Sequence, residues 1–205
     1  MTFLPLEVND QKVHVGFWKR FGALLVDVLV STPFIIIFYF VAGLSLATAM
    51  ISAVILNLSS SIYTIYFHYK FGATLGKMAA KIKVVRPNGN KIGFKQAFLR
   101  SSPDLIFALS LTAVEVLALP NADFEVYSNA GWMERSDYLW LFISAWYGLI
   151  GFVPILWYWG EFIVLLCNKR KRALHDFIAN TVVIHREYAE EQVAVQDSIG
   201  DVLIS

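Results

Sequence analysis

An arginine and an aspartate stand seven residues apart at the head of a long apolar run, Arg20-Phe-Gly-Ala-Leu-Leu-Val-Asp27. From Phe21 to Leu44 that aspartate is the single charged side chain. A carboxylate near the centre of a membrane-crossing helix costs about 2.5–3.5 kcal/mol on insertion scales, so a chain that keeps one has a use for it. Two uses are open here. Asp27 either binds a cation or proton, or it is a buried polar group that fixes helix packing. Desolvation raises a carboxylate's pKa and a neighbouring arginine lowers it, so such a pair is able to hold either species. On a helix the two Cα atoms lie ~10.5 Å apart along the axis. Arg20 must therefore bend inward to reach Asp27, or snorkel outward and leave it to a partner from another helix.

Other carboxylates sort by depth along their apolar segments. Glu161, in Trp157-Tyr-Trp-Gly-Glu161, is about as deep as Asp27, and Asp104 stands at the mouth of another segment. With Arg20 these three are expected to meet near one level. Glu115 lies in the opposite half of its segment.

The elements that must position these groups follow from composition. Of 205 residues, 57% are hydrophobic and only 16% charged, which is the composition of a membrane protein. A net charge of +1 predicts no nucleic-acid partner. The single cysteine, Cys167, excludes an internal disulfide and any multi-cysteine metal site, and reads as a packing residue. Met1 to Lys19 contains no short apolar core of a cleavable signal, so an uncleaved first helix is expected.

Four apolar segments stand out, at about Phe21–Leu44, Leu46–Phe67, Pro103–Leu119 and Tyr138–Leu166. Each is near or above spanning length, so four transmembrane helices are expected, with a kink at Pro154. Gly43-Leu44-Ser45 joins the first two as a tight hairpin. All of the 17 basic residues except Arg135 fall in one set of alternating flanks and loops. The positive-inside rule makes that side, with both termini, cytoplasmic. The inner loop reads as a β-hairpin, Lys81–Val85 turning at Pro87-Asn88-Gly89 into Lys91–Phe94. Phe94 to Arg100 then forms a basic amphipathic helix at the anionic cytoplasmic leaflet. Residues 1–186 make one transmembrane domain, and 187–205 an acidic, disordered tail.

Several motifs take plain readings. Gly72-Ala-Thr-Leu-Gly76-Lys77 lacks the spacing and the Ser or Thr of a phosphate loop, and reads as a capped turn entering an interfacial helix. Ser45, Ala49, Ala53, Asn57 and Ser61 form a stripe suited to close helix packing. His14, His68, His175 and His185 show no metal-ligand spacing. No nucleophile–base pair appears, so neither enzymatic chemistry nor a cofactor is expected.

Taken with Lys171-Arg172-Ala-Leu-His175-Asp176-Phe-Ile-Ala-Asn180-Thr181-Val, these residues resemble the RDD family of membrane proteins, named for one arginine and two aspartates. Arg20 matches its arginine, Asp27 its first aspartate and Asp176 its second. The 72–77 and 81–85 stretches resemble its inner-loop signature. Asn180 stands where the family commonly has glycine, a replacement that tolerates the same unusual backbone angles. The resemblance implies transport with an unassigned substrate, sodium/proton exchange being attributed to some members, or service as an assembly subunit. In a transporter Asp27 is the expected principal site, with Asp176 and Glu161 supporting and Arg20 tuning their charge. A four-helix bundle is small for a transport path, so a homo-oligomer is then expected. In a scaffold Arg20, Asp27 and Asp176 form an ion-pair lock.

Overall fold

A computed structural model of the chain describes residues 4–8, 11–143 and 145–189, with the side chains of 145–150 left aside. The acidic tail expected from 187 onward lies mostly outside these residues. Within them, Tyr188 is placed, its hydroxyl donating to Gln11 Oε1 at 2.9 Å.

The long helices are α1 (Phe17–Ala42), α2 (Leu46–Phe71) and α4 (Phe94–Ala118), the last ending in a 3-10 turn at Leu119–Asn121. All three are long and apolar enough to cross a membrane. Gly43 to Ser45 joins α1 to α2 as the tight connection expected. There the Ser45 side chain accepts from the Thr48 N–H, and the Thr48 hydroxyl oxygen accepts from the Ser45 N–H, a reciprocal cap. Pro103 does not open α4 but sits inside it, because the amphipathic stretch from Phe94 runs on as the same helix.

The fourth apolar segment departs from expectation. It divides into α6 (Trp132–Trp140) and the 23-residue α7 (Ala145–Cys167), whose stretch Gly151–Cys167 stands beside the three spanning-length helices as a shorter apolar one among the described residues. The reason lies in α6. Its Arg135 is buried and committed to the carbonyls of Tyr39, Tyr127 and Ser128, which separates this stretch from the apolar helix that follows.

The chain forms two compact units, one from Met1–Val28, Thr64–Arg100 and Gly160–Ser205, the other from Leu29–Tyr63 and Ser101–Trp159. In the first, a short strand pair β1 (Glu7–Val8) and β2 (Gln11–Lys12) precedes α1. After α2 come α3 (Leu75–Ala79) and β3 (Ile82–Val85). After α7 come α8 (Leu174–Ile178) and β4 (Val182–His185).

The expected hairpin is corrected here. The 86–90 turn does form, with Gly89 at φ +88°, but only a single bridge, Val85 to Lys91, follows it. β3 pairs antiparallel with β4 instead, Ile82 opposite His185 and Val85 opposite Val182. Hydrophobic matching accounts for the choice. Ile82, Val84 and Val183 enter one buried cluster with Val15, Ala23, Ile92 and Ala97, while Val85, Val182 and Ile184 enter another with Leu4 and Val13. A ladder that completes two buried clusters needs a nearly continuous apolar partner strand, which Val182-Val-Ile184 supplies and Lys91-Ile-Gly93 does not. Residues 13–15 extend the other edge of β4 through Val15 N–H to the Val183 carbonyl and His185 N–H to the Val13 carbonyl.

The second unit holds the remaining lengths of α1, α2, α4 and α7, with α5 (Phe124–Asn129) and α6. Its core joins Ala42, Ala49, Ala118, Leu119, Tyr127 and Leu139. Ala49 and Ser61 of the small-residue stripe are buried, in keeping with its packing role.

The β3–β4 register is checked by oxidative cross-linking in a Cys167→Ser background. Lys83→Cys with Ile184→Cys should form a disulfide, since directly opposed residues lie within about 5.5 Å at Cβ. Lys83→Cys with Gly93→Cys, the pairing of the hairpin alternative, should not.

Candidate functional site

Asp176 is the centre of the first unit's polar cluster and is 0% exposed. Its place is set locally: α8 begins after Ala173, and Asp176 at the third helical position turns its Oδ2 back to accept from the Ala173 N–H at 3.0 Å. Oδ2 also accepts from Arg20 Nη1 at 2.8 Å. Oδ1 accepts from Arg100 Nη1 and from the Thr181 hydroxyl. Four donors thus fill the carboxylate, two of them guanidinium groups. Burial by itself would raise this carboxyl's pKa, but Arg100 and then Arg20 outweigh it and hold the group well below the usual range.

The turn around it is built for the same purpose. Lys171 takes φ +50°, and its carbonyl accepts from Arg20 Nη2. Asn180 takes φ +49°, the left-handed region that asparagine and glycine tolerate best. Arg172 Nη2 donates to the Asp176 carbonyl at 2.9 Å and its Nε to the Thr181 carbonyl at 3.1 Å.

Arg20 thus goes to Asp176, and Asp27 serves a different element. Asp27 Oδ1 accepts from the Gly76 N–H at 2.7 Å and Oδ2 from the Thr74 hydroxyl at 2.6 Å. Both donors belong to the first turn of α3, where Thr74 is the N-cap. The capped turn expected at residues 72–77 is present, and a carboxylate from within α1 completes it. Contact is close enough to demand glycine: a β-carbon on Gly76 would lie 2.0 Å from the Ala23 carbonyl oxygen.

Glu161 joins the first cluster through His175, whose backbone N–H and Nδ1 both meet Glu161 Oε1. On its other side, His175 Nε2 lies 2.6 Å from Arg100 Nη2. Arginine only donates, so Nε2 accepts and the proton resides on Nδ1, pointed at Glu161. Burial and then Arg100 lower the His175 pKa, in keeping with a neutral ring. Asp104 and Glu115 belong to the second unit. Asp104 Oδ1 accepts from the Tyr158 hydroxyl at 3.2 Å, and Glu115 Oε2 from Asn57 Nδ2 at 2.8 Å. The same unit contains a cavity of about 330 Å³ whose lining includes Glu115, Asn57, Ser52 and Arg135.

Sequence reasoning missed Arg100, the pairing of Asp27 with Thr74 and Gly76, and the His175 bridge. Arg100 carried the same signal as Arg20, an arginine leading into an apolar run, but it stood among basic residues that also served to set topology. Among the described residues, no group of three or more His, Cys, Asp or Glu side chains is placed to hold a metal ion.

Spanning-length apolar helices with a buried arginine–aspartate–arginine set define a helical membrane-type protein built around an internal ion-pair cluster. Residues 14–180 match the RDD family, and the chain belongs to it. It is 25% identical over 185 residues to the uncharacterized protein YckC of Bacillus subtilis (strain 168), covering 90% of this chain and 93% of that protein. No solved structure matches the chain.

Two outcomes follow from this geometry. Gly76→Ala should reach the top of the overpacking range, about 3 kcal/mol, seen as a lowered melting temperature in detergent. The second concerns His14, which is buried with no bond partner on either ring nitrogen. Burial, then Arg170, Arg20 and Arg172, lower its pKa from 6.5 to about 4. The unfolded chain therefore takes up a proton first, so His14 favours folding fully above pH 6.5 and progressively less as pH falls toward 4. Melting at pH 7.5 and 5 should show the loss, and His14→Phe should reduce it.

Proposed function

We propose that this protein is a membrane-embedded scaffold, an assembly subunit in which Arg20, Arg100 and Asp176 form a structural lock. One observation carries the reading: the Asp176 carboxylate is wholly buried and its two oxygens are filled by four protein donors. A carboxylate so occupied has no vacant position for a cation. Asp27, held by Thr74 and Gly76, serves the same end by fastening α3 to α1. The lock and both termini lie on the cytoplasmic side of the inner membrane in this reading, supported by the placement of every basic residue but Arg135. Its basic helix ends meet the anionic lipid headgroups there. No catalytic chemistry is assigned to it.

Cation- or proton-coupled transport by a homo-oligomer is the second reading, favoured by the cavity that reaches Glu115 and Asn57. Flux in vesicles of purified protein, under sodium and pH gradients, separates the two. A scaffold gives no flux above empty vesicles. Transport would give flux that Glu115→Gln abolishes while melting is unchanged.

For the lock itself, Asp176→Asn should cost about 3–5 kcal/mol, because two buried guanidinium groups lose their anion. A double-mutant cycle of Arg20→Ala with Asp176→Ala should show coupling of about 1–3 kcal/mol in denaturant melts. Additive losses would remove the lock.

A further inference from the structure

The Gly72–Lys77 motif holds a second feature that the lock does not use. Lys77 Nζ lies 2.8 Å from Nε2 of His68, and His68 is 1% exposed. Two bases at hydrogen-bonding distance need one nitrogen to donate and the other to accept. Both fully protonated, they would place two cations in contact with no lone pair between them. The pair therefore carries at most one positive charge. When Nε2 accepts from the amine, the ring proton resides on Nδ1, which has no bond partner in its buried position.

The groups facing the pair come from three elements. Arg20 and Asp27 come from α1, Arg100 from α4, and His175 and Asp176 from α8. Both carboxylates are already engaged, Asp176 by four donors and Asp27 by the Thr74 hydroxyl and the Gly76 N–H among others. The two guanidinium groups cannot lose their charge near neutral pH. His175 keeps its Nε2 lone pair occupied by accepting from Arg100, which leaves the amine–imidazole pair as the member of this cluster able to change its charge.

We propose that His68 and Lys77 form a single-proton site, which binds and releases one proton and so sets the charge of the cluster beside the lock. Burial, then Arg100 and Arg20, bring the Lys77 amine down to about 7 against the opposing pull of Asp176 and Asp27. The site stands independently of the scaffold reading, since binding a proton does not require carrying it across a membrane.

The test is a pH titration of the full chain in detergent micelles, labelled with 13C at lysine Cε and 15N in the histidine rings. One lysine should titrate with a midpoint near 7 while the others stay near their ordinary value of about 10.4. Lys77→Met should remove that signal and assign it. His68→Gln, which offers the ammonium an amide carbonyl in place of the better-accepting imidazole nitrogen, should move the midpoint downward. If Lys77→Met does not fold, Lys77→Arg serves, because its guanidinium does not titrate and the same step must vanish. The 15N shifts of His68 should report a neutral ring with the proton on Nδ1 below the midpoint, where the ammonium can only donate. Absence of any lysine step between pH 5.5 and 8.5, or a doubly protonated His68 ring at pH 7, would overturn the proposal.

Discussion

A carboxylate with no exposure to solvent is the constraint around which the first unit is organised. Burying an ion costs several kcal/mol even after relaxation, and the cost is offset only when its lone pairs are filled in good geometry. Asp176 meets this with donors from four places: the start of α1, the start of α4, the N-terminus of its own short helix and the residue before β4. Each donor has its own requirement. Lys171 and Asn180 accept left-handed backbone angles to bring the turn round, and Arg172 spans the same loop through two carbonyls. The fold here is the set of backbone paths that lets two guanidinium groups reach one anion.

The two units solve the problem of a buried arginine differently. Arg20 and Arg100 share an ionised partner. Arg135, at 8% exposure, instead spreads its charge over three neutral carbonyls and the ring faces of Tyr39 and Tyr127. Dipoles and aromatic quadrupoles compensate a charge less completely than an anion does, but they bring no second ion out of water. The arrangement ties α6 to α1 and α5 through backbone atoms that no side-chain substitution removes.

Much of this was legible in the residues. The lengths of the first two helices, the three-residue connection between them and the cap at Thr74 follow from apolar runs and capping chemistry. An aspartate deep in α1 announced an interior role, though not which one. A carboxylate among apolar residues reads the same whether it meets a cation or the N-terminus of a helix. The choice depends on α3 arriving close enough to Ala23 that only glycine fits. The partner of β3 was illegible for a related reason. Asn88-Gly89 is a strong turn signal and it does turn the chain, but a strand's partner is decided by which apolar set completes a core, and Val182-Val-Ile184 lies nearly a hundred residues away. Arg100 was hidden by its neighbours, since a charge that anchors topology and a charge that binds an internal anion look alike in one sequence.

The sequence distance between Arg20 and Asp176, 156 residues, governs the order in which this protein is made. At about 5–20 residues per second, roughly 8–30 s pass between synthesis of the arginine and of its anion. Until its anion is made the Arg20 guanidinium lacks that partner, and β3 waits for a strand near the end of the chain. The first unit therefore closes last, as a single late event in which the final segment docks, and truncation anywhere before residue 185 leaves every earlier element made but unfastened.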